Sequence, residues 1–365
     1  MRRKAALLAL LIAFALVGYF LLRHKTEANA ESRFDGVHLC SPAQEAAATA
    51  QAAAATQTPE PEVSGTGNDT LGIPSKVPVS GSPGSQGPFF AQNAPDWGKD
   101  EYDHGSKQDV GCGTTIAQCG CAMTSVATVL DLFQVVTTPE GSALNPETLN
   151  GWFNENAQLT GSGWVSQGYA YGNVVWTAAN NFSAADPSAP STVRYKGWGT
   201  GSEAEIRSEL SAGRPVVLEV PGHYIAAVAL EGDQIMINDP YYRDRTTLSS
   251  YAGRVKSSRL YEPSQDLRSL VITLPANVRV QVKDPQGRNV GTLSKGSPSA
   301  AEKNAVSEIP GASYHFEEAW RDPTCTERPP PDGAGVNTIF IPNPTNGAYT
   351  VEVMNPSGGD TASVV

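Results

Sequence analysis

The sequence predicts an α+β protein in which a helix-led half is followed by a small antiparallel β-sandwich. Three observations predict it. An apolar helical stripe begins at Cys121, two alternating apolar strands meet across residues 223–240, and short strands with Gly- and Pro-containing turns fill the chain after about residue 266. At 365 residues there is room for two domains plus tails. Charged residues are 17%, below the usual share of about a quarter, and 35 glycines with 27 prolines imply many turns and linkers. A net charge of −11, with no basic run beyond the N-terminus, argues against nucleic acid, which needs a basic patch.

Residues 1–30 read as a signal peptide or membrane anchor. Met1-Arg2-Arg3-Lys4 is basic, Ala5 to Leu22 is apolar, and Arg23-His24-Lys25 closes the run. Its 18 residues suffice to span a bilayer and exceed the usual signal-peptide core of about 7–15. Ala28-Asn29-Ala30 resembles a cleavage site. Either way the rest of the chain is expected outside the cytoplasm, secreted or tied to a membrane by this segment. Residues 31–85 read as a disordered linker, dominated from residue 43 by Ala, Thr, Pro, Gly and Ser, which bury too little surface to offset ordering entropy. It is a tether or a propeptide.

Order begins near Pro88, in the aromatic patch Phe89-Phe90-Ala91-Gln92 with Trp97. Then comes the stripe of Ala122, Val126, Val129, Leu130 and Phe133, with Asp131 and Gln134 off it. Cys121 sits in the first turn, among unpaired N–H groups at the positive end of the helix dipole, which favour the nucleophilic thiolate. Taken alone, Cys121 reads better as a small apolar residue that starts a core helix, because free Cys is among the most buried residue types. Asn145 caps a further helix with Pro146 at its first position. Gly172–Asn181 predicts another, with Val174, Val175 and Ala178 inward. Ser202 and Glu205 form a capping box for a helix that ends at Gly213.

The period then changes to two. Pro215–Val220, His223–Leu230 and Gln234–Pro240 are strands, with Glu231-Gly232-Asp233 as a turn. A three-residue loop sets position 225 opposite 239, and His223 and Asp239 then share a face as diagonal neighbours; a two-residue loop sets them on opposite faces. Of five histidines, only His223 heads an apolar strand with an Asp on its partner. Asn238-Asp239-Pro240 alone reads as a strand-ending turn. Together the residues supply a nucleophile, a base and an orienting group in the chain order Cys, His, Asp.

Here the sequence resembles papain-like cysteine peptidases related to those that cleave double-glycine leaders from bacteriocins, in their stand-alone, transporter-free form. The resemblance covers about residues 86–262. It rests on the aromatic-Gln entry, on Thr115-Ile116-Ala117-Gln118-Cys119-Gly120-Cys121-Ala122-Met123-Thr124-Ser125, on Pro146 to Trp152, and on the hairpin from Gly222-His223-Tyr224 to Asn238-Asp239-Pro240. It implies Cys121 as nucleophile, His223 as general base and acid, and Asp239 as orienter. It also implies a Gln in the oxyanion hole beside a helix N-terminal N–H. Gln92 fits the entry motif best, across a polar insertion; Gln118 and Gln108 lie closer and stay candidates.

Five cysteines in an exported chain favour two disulfides and one odd thiol, and the triad makes that thiol Cys121. Cys112–Cys119 would close a small loop before the nucleophile; Cys40–Cys325 is open. Cys119–Cys121, with one intervening residue, would be strained. Cys112, Cys119, Cys121 and His104 lack a familiar zinc spacing, so no metal or cofactor is expected.

From Asp266, Leu270–Leu274, Val278–Val282, Thr338–Ile341 and Asn346–Val353 read as strands or turn plus strand, Asp284-Pro285-Gln286-Gly287 as a turn, and Pro310–Pro331 as irregular. Residues 266–365 resemble the immunoglobulin-like accessory modules of secreted bacterial enzymes. The expectation is an exported cysteine peptidase acting on a peptide or protein, with 86–262 as its papain-like domain. An inactive surface binding or adhesion protein on this scaffold, and an acyl transferase using the same triad, are the alternatives. Substrate identity and oligomeric state stay open.

Overall fold

The computed structural model describes residues 87–365 apart from 109, 161, 191, 319–334, 355–360 and 365. The N-terminal segment and linker expected over 1–85, Cys40, Cys325 and Arg328-Pro329-Pro330-Pro331 lie outside the described residues. Among the described residues no helix is long and apolar enough to cross a membrane.

A single helical turn, α1 (Ile116–Cys119), leads directly into α2 (Cys121–Leu132). Gly120 joins them, and a Cβ there would stand 2.6 Å from the Ile116 carbonyl oxygen. Only glycine lets the backbone double back this closely. The expected stripe of α2 is present, but the helix is buried on every side from Cys121 to Leu130. It is a core helix, packed against the central sheet and against its neighbouring helices. Each buried Val or Leu there contributes about 1.5–3 kcal/mol.

α3 (Pro146–Phe153) starts as expected, with Pro146 in its first turn and the Asn145 side chain accepting from Thr148 N–H at 3.0 Å. A four-stranded meander follows: β1 (Gln158–Thr160), β2 (Gly163–Val165), β3 (Tyr169–Ala170) and β4 (Asn173–Val174). This corrects the helix expected over Gly172–Asn181. Tyr171 and Gly172 take positive φ (54° and 87°), turning the chain so that Val174 pairs with Tyr169. α4 (Ala178–Ala185) begins only after Thr177. The apolar spacing of Val174, Val175 and Ala178 fits a helix, but the Tyr171-Gly172 turn decides the local structure.

The central sheet comprises β5 (Val193–Gly199), β6 (Val216–Val220), β7 (His223–Glu231), β8 (Gln234–Asn238) and β9 (Ser257–Pro263), ordered β5-β9-β6-β7-β8 and antiparallel throughout. Between β5 and β6 lies α5 (Glu203–Ser211), capped by Ser202. Glu205 does not complete the expected reciprocal box; its carboxylate accepts from Thr200 and Gly201 N–H instead.

The β7–β8 hairpin differs from expectation in its turn and agrees in its register. Glu231 pairs with Gln234, so the loop is two residues, not three. That alone would set His223 and Asp239 on opposite faces. However, Ala229 pairs with Met236 while Ala227 pairs with Ile237, leaving Val228 as a one-residue bulge. Ala226 then faces Asn238, so position 225 falls opposite 239 after all.

Beyond Asp266 the chain forms β10 (Ser269–Pro275), β11 (Arg279–Lys283), β12 (Asn289–Thr292), α6 (Pro298–Lys303), β13 (Val306–Ser307), β14 (Ser313–Glu318), β15 (Gly335–Pro342), β16 (Thr350–Met354) and β17 (Thr361–Val364). They make a three-stranded sheet, β10-β15-β14, and a five-stranded sheet, β13-β12-β11-β16-β17. Val280, Val282 and Val290 of one sheet share a core with Tyr314, Ile339 and Ile341 of the other. The Asp284 turn is as expected, its carboxylate accepting from Gln286 and Arg288 N–H. The expectation of irregular chain over Pro310–Pro331 is corrected by β14, which pairs along its whole length with β15.

Candidate active site

Cys121 is the first residue of α2, where backbone N–H groups have no acceptor within the helix. Two of them, from Cys121 and Ala122, favour the charged form of its sulfur, as does the N–H of Tyr224 on β7. Burial nevertheless dominates, pushing the fully buried thiol well above its ordinary range; the N–H groups pull the other way and the Asp239 charge adds to the rise. The helix start alone therefore does not hold a standing thiolate, contrary to the expectation from sequence, because desolvation outweighs the local dipoles. Cys112 and Cys119 are disulfide-bonded, with Cα atoms 5.4 Å apart, and Cys121 is the free cysteine among the described residues. The bridge anchors the loop immediately before α2.

His223 opens β7 after the tight turn at Pro221-Gly222, paired with Val220 of β6. Its Nε2 lies 2.7 Å from Asp239 Oδ1, with both side chains buried. Oδ1 also accepts from Tyr241 and Tyr242 N–H at 3.0 Å each, and Oδ2 accepts from the Tyr251 hydroxyl. Burial works to raise the Asp239 carboxyl, but the His223 charge and these hydrogen bonds together hold it below its usual range. An ionised carboxylate only accepts, so Nε2 is the donating nitrogen and Nδ1 carries the basic lone pair in the neutral ring. Cys121 and His223 line one cleft, together with Tyr102, Tyr224, Glu219 and Glu317.

Gln92 is fully buried and bridges two parts of the site. Its N–H donates to the Pro240 carbonyl at 2.8 Å, and its Nε2 donates to Ala117 O at 2.7 Å and Ile116 O at 3.4 Å. It thus ties the chain after Asp239 to α1, and it is not among the residues lining the cleft. Gln118 Oε1 caps α1 through Thr114 and Thr115 N–H, and Gln108 bridges Asp103 to Trp164 N–H. None of the three glutamines lines the cleft in this structure. His104 stacks on Trp164 and His315 on Trp198, away from the cleft. Among the described residues no group of three or more His, Cys, Asp or Glu side chains stands close enough to hold a metal ion.

Sequence reasoning missed the charged wall of the cleft. Arg259 on β9 is fully buried, its guanidinium 3.3 Å from the ring centre of Trp198. Its Nη2 donates to Glu219 Oε2 at 3.3 Å, to Glu317 Oε1 at 3.2 Å and to the Tyr224 hydroxyl at 3.1 Å. Glu317 also accepts from the Tyr224 hydroxyl at 2.5 Å and from Trp176 Nε1 at 3.0 Å. The alternation of Tyr314 and Phe316 with polar neighbours is the signal that would have found β14.

A thiol at a helix start, an imidazole on a facing strand and a carboxylate fixing the imidazole tautomer is an assembly suited to acyl transfer through sulfur. Residues 91–266 match the model of the Peptidase_C39 like family. That segment is similar to the family. No curated protein and no solved structure matches the chain. This likeness supports a cysteine peptidase, a hydrolase with papain-like character. The matched segment ends before β10, so the C39-like part does not include β14 and Glu317.

Proposed function

We propose that the chain is an exported cysteine peptidase in which Cys121 is the nucleophile, His223 the base and acid, and Asp239 the orienter. The observation that carries this is the 2.7 Å contact of His223 Nε2 with Asp239 on the wall of the cleft that Cys121 also lines. Because the resting thiol is held protonated by burial, the reaction starts with transfer of its proton to His223 Nδ1 as sulfur attacks the peptide carbonyl. The tetrahedral oxyanion is received by N–H groups at the start of α2, the donors nearest the sulfur. His223 returns the proton to the leaving amine, which departs and leaves a thioester on Cys121. Water then attacks the thioester with His223 again taking the proton, and the acid product leaves as the thiol is restored. Gln92, bonded to Ala117 and Ile116 carbonyls, acts by holding α1 and the Asp239 loop together.

Residues 1–30 supply the export signal or anchor and residues 31–85 the tether; the Cys112–Cys119 disulfide fits an oxidising compartment. We read residues 86–262 as the catalytic domain and residues 266–365 as an immunoglobulin-like accessory module. Incubation of the full chain with a peptide library tests the reading. Expected are new peptide termini and an acyl adduct on Cys121, both lost in Cys121→Ala and in His223→Ala. Peptide binding without adduct or cleavage would overturn it in favour of a binding protein. An adduct that passes to added amines in preference to water would make the chain an acyl transferase.

A further inference from the structure

β14 crosses from the C-terminal sheets to the cleft and delivers one buried carboxylate. Glu317 receives three donors at once: the Tyr224 hydroxyl, Arg259 Nη2 and Trp176 Nε1. Each of the three comes from the segment 91–266, and Glu317 comes from outside it. Tyr224 follows His223 directly and lines the same cleft as Cys121 and Glu317, and its backbone N–H favours the charged form of the Cys121 sulfur. Its ring packs at 5.4 Å from Trp176, so both the ring and the hydroxyl are held in place by groups that Glu317 joins.

We propose that Glu317 is a positioning residue of the Cys121–His223 site, acting through Tyr224, so that the C-terminal sheets complete the active site instead of merely being attached to it. This rests on the peptidase reading above. The chemistry demands a carboxylate. Only an acid side chain can accept on both oxygens, and a glutamine would turn an N–H toward Trp176 Nε1 or toward Tyr224 and Arg259. Losing the anchor frees the start of β7 and with it the Tyr224 N–H, the first of the groups that oppose desolvation of the thiol. The direct charge of Glu317 is a lesser influence than this contact, so its removal does not reverse the effect.

The test uses the full chain carrying Glu317→Gln, Tyr224→Phe, or both, with iodoacetamide as the probe and mass spectrometry to locate the modified cysteine. Alkylation of Cys121 is followed from pH 5 to 10. Each single variant is expected to react about tenfold more slowly at pH 7, with its profile moved about one unit toward higher pH, one unit being a factor of ten in thiolate. The double variant is expected to match the singles, since both remove one connection. Unchanged profiles in folded single variants, shifts toward lower pH, or a multiplied loss in the double would overturn the proposal. If Glu317→Gln fails to fold, Tyr224→Phe, which keeps every charge, decides alone by the same criteria. His223→Ala separates the two claims. Slowed alkylation there with none in Glu317→Gln sinks only this inference, whereas no dependence on His223 sinks the peptidase reading and this inference with it.

Discussion

His223 Nε2 and Asp239 Oδ1 stand 2.7 Å apart because one residue, Val228, is left over between their strands. The hairpin turn is one residue too short to bring them to one face, and the bulge restores the parity. Asp239→Asn tests what the contact does. It keeps the shape but lets the amide donate to Nε2, which forces the other tautomer and leaves no lone pair on Nδ1. The expected loss in kcat is about 100-fold or more, with little change in KM and in unfolding midpoint. A loss confined to KM would contradict the orienting role.

Tyr251 donates its hydroxyl to Asp239 Oδ2 and helps keep that carboxyl below its usual range. A carboxyl lowered on folding contributes stability that is present above its unfolded range and is lost as pH falls through the folded value. Tyr251→Phe removes a donor from a buried acceptor and is expected to cost about 1–3 kcal/mol at neutral pH. The acid limb of kcat/KM should move up in pH, because Asp239 then protonates earlier. Chemical denaturation and a pH–rate profile check the two parts.

Asp103 gives a pH effect of opposite sign. Burial raises its carboxyl to about 7, against hydrogen bonds from Gly172 N–H and Gln108 that favour the charge. The unfolded chain releases this proton near the ordinary carboxylate range, the folded chain only near 7. Between those values the folded state binds more protons, so stability falls as pH rises through the window, on the order of 1 kcal/mol per pH unit. Asp103→Asn places an amide oxygen where Gly172 and Gln108 donate. It is expected to flatten the dependence and raise the unfolding midpoint at pH 8 while changing little at pH 4. Equal shifts at both pH values would contradict the assignment.

The Cys112–Cys119 bridge spans seven residues of sequence separation ahead of Cys121. Replacing both cysteines with serine is expected to lower stability by about 2 kcal/mol on loop-closure grounds. Denaturant unfolding of the wild-type chain and of the double variant checks it, and an unchanged midpoint would contradict the contribution.

What was legible in the sequence was local and periodic. The buried helix at Cys121, the Asn145 and Ser202 caps and the three strands around His223 all announce themselves through short-range pattern. The disulfide at Cys112–Cys119 is one of three pairings left open once Cys121 is the odd thiol, and the structure selects it. The register of His223 against Asp239 was reached through the wrong turn, because a bulge inside an unbroken apolar strand such as Ala226–Leu230 leaves no mark on the period. The helix expected at Gly172 failed because a Tyr-Gly turn at positive φ overrides apolar spacing. Arg259 and Glu317 were invisible for another reason. They lie 58 residues apart, and only tertiary packing shows that each is the other's counter-charge.

The most direct test of the central claim is the rate of Cys121 alkylation by iodoacetamide at pH 6–7 in the wild-type chain and in His223→Ala. The buried thiol needs His223 to take its proton, so the account predicts a single modified site at Cys121 whose rate falls at least tenfold without His223, about one unit of thiolate pKa or more. An equal rate in the two proteins, or a Cys121 that never reacts, would contradict it.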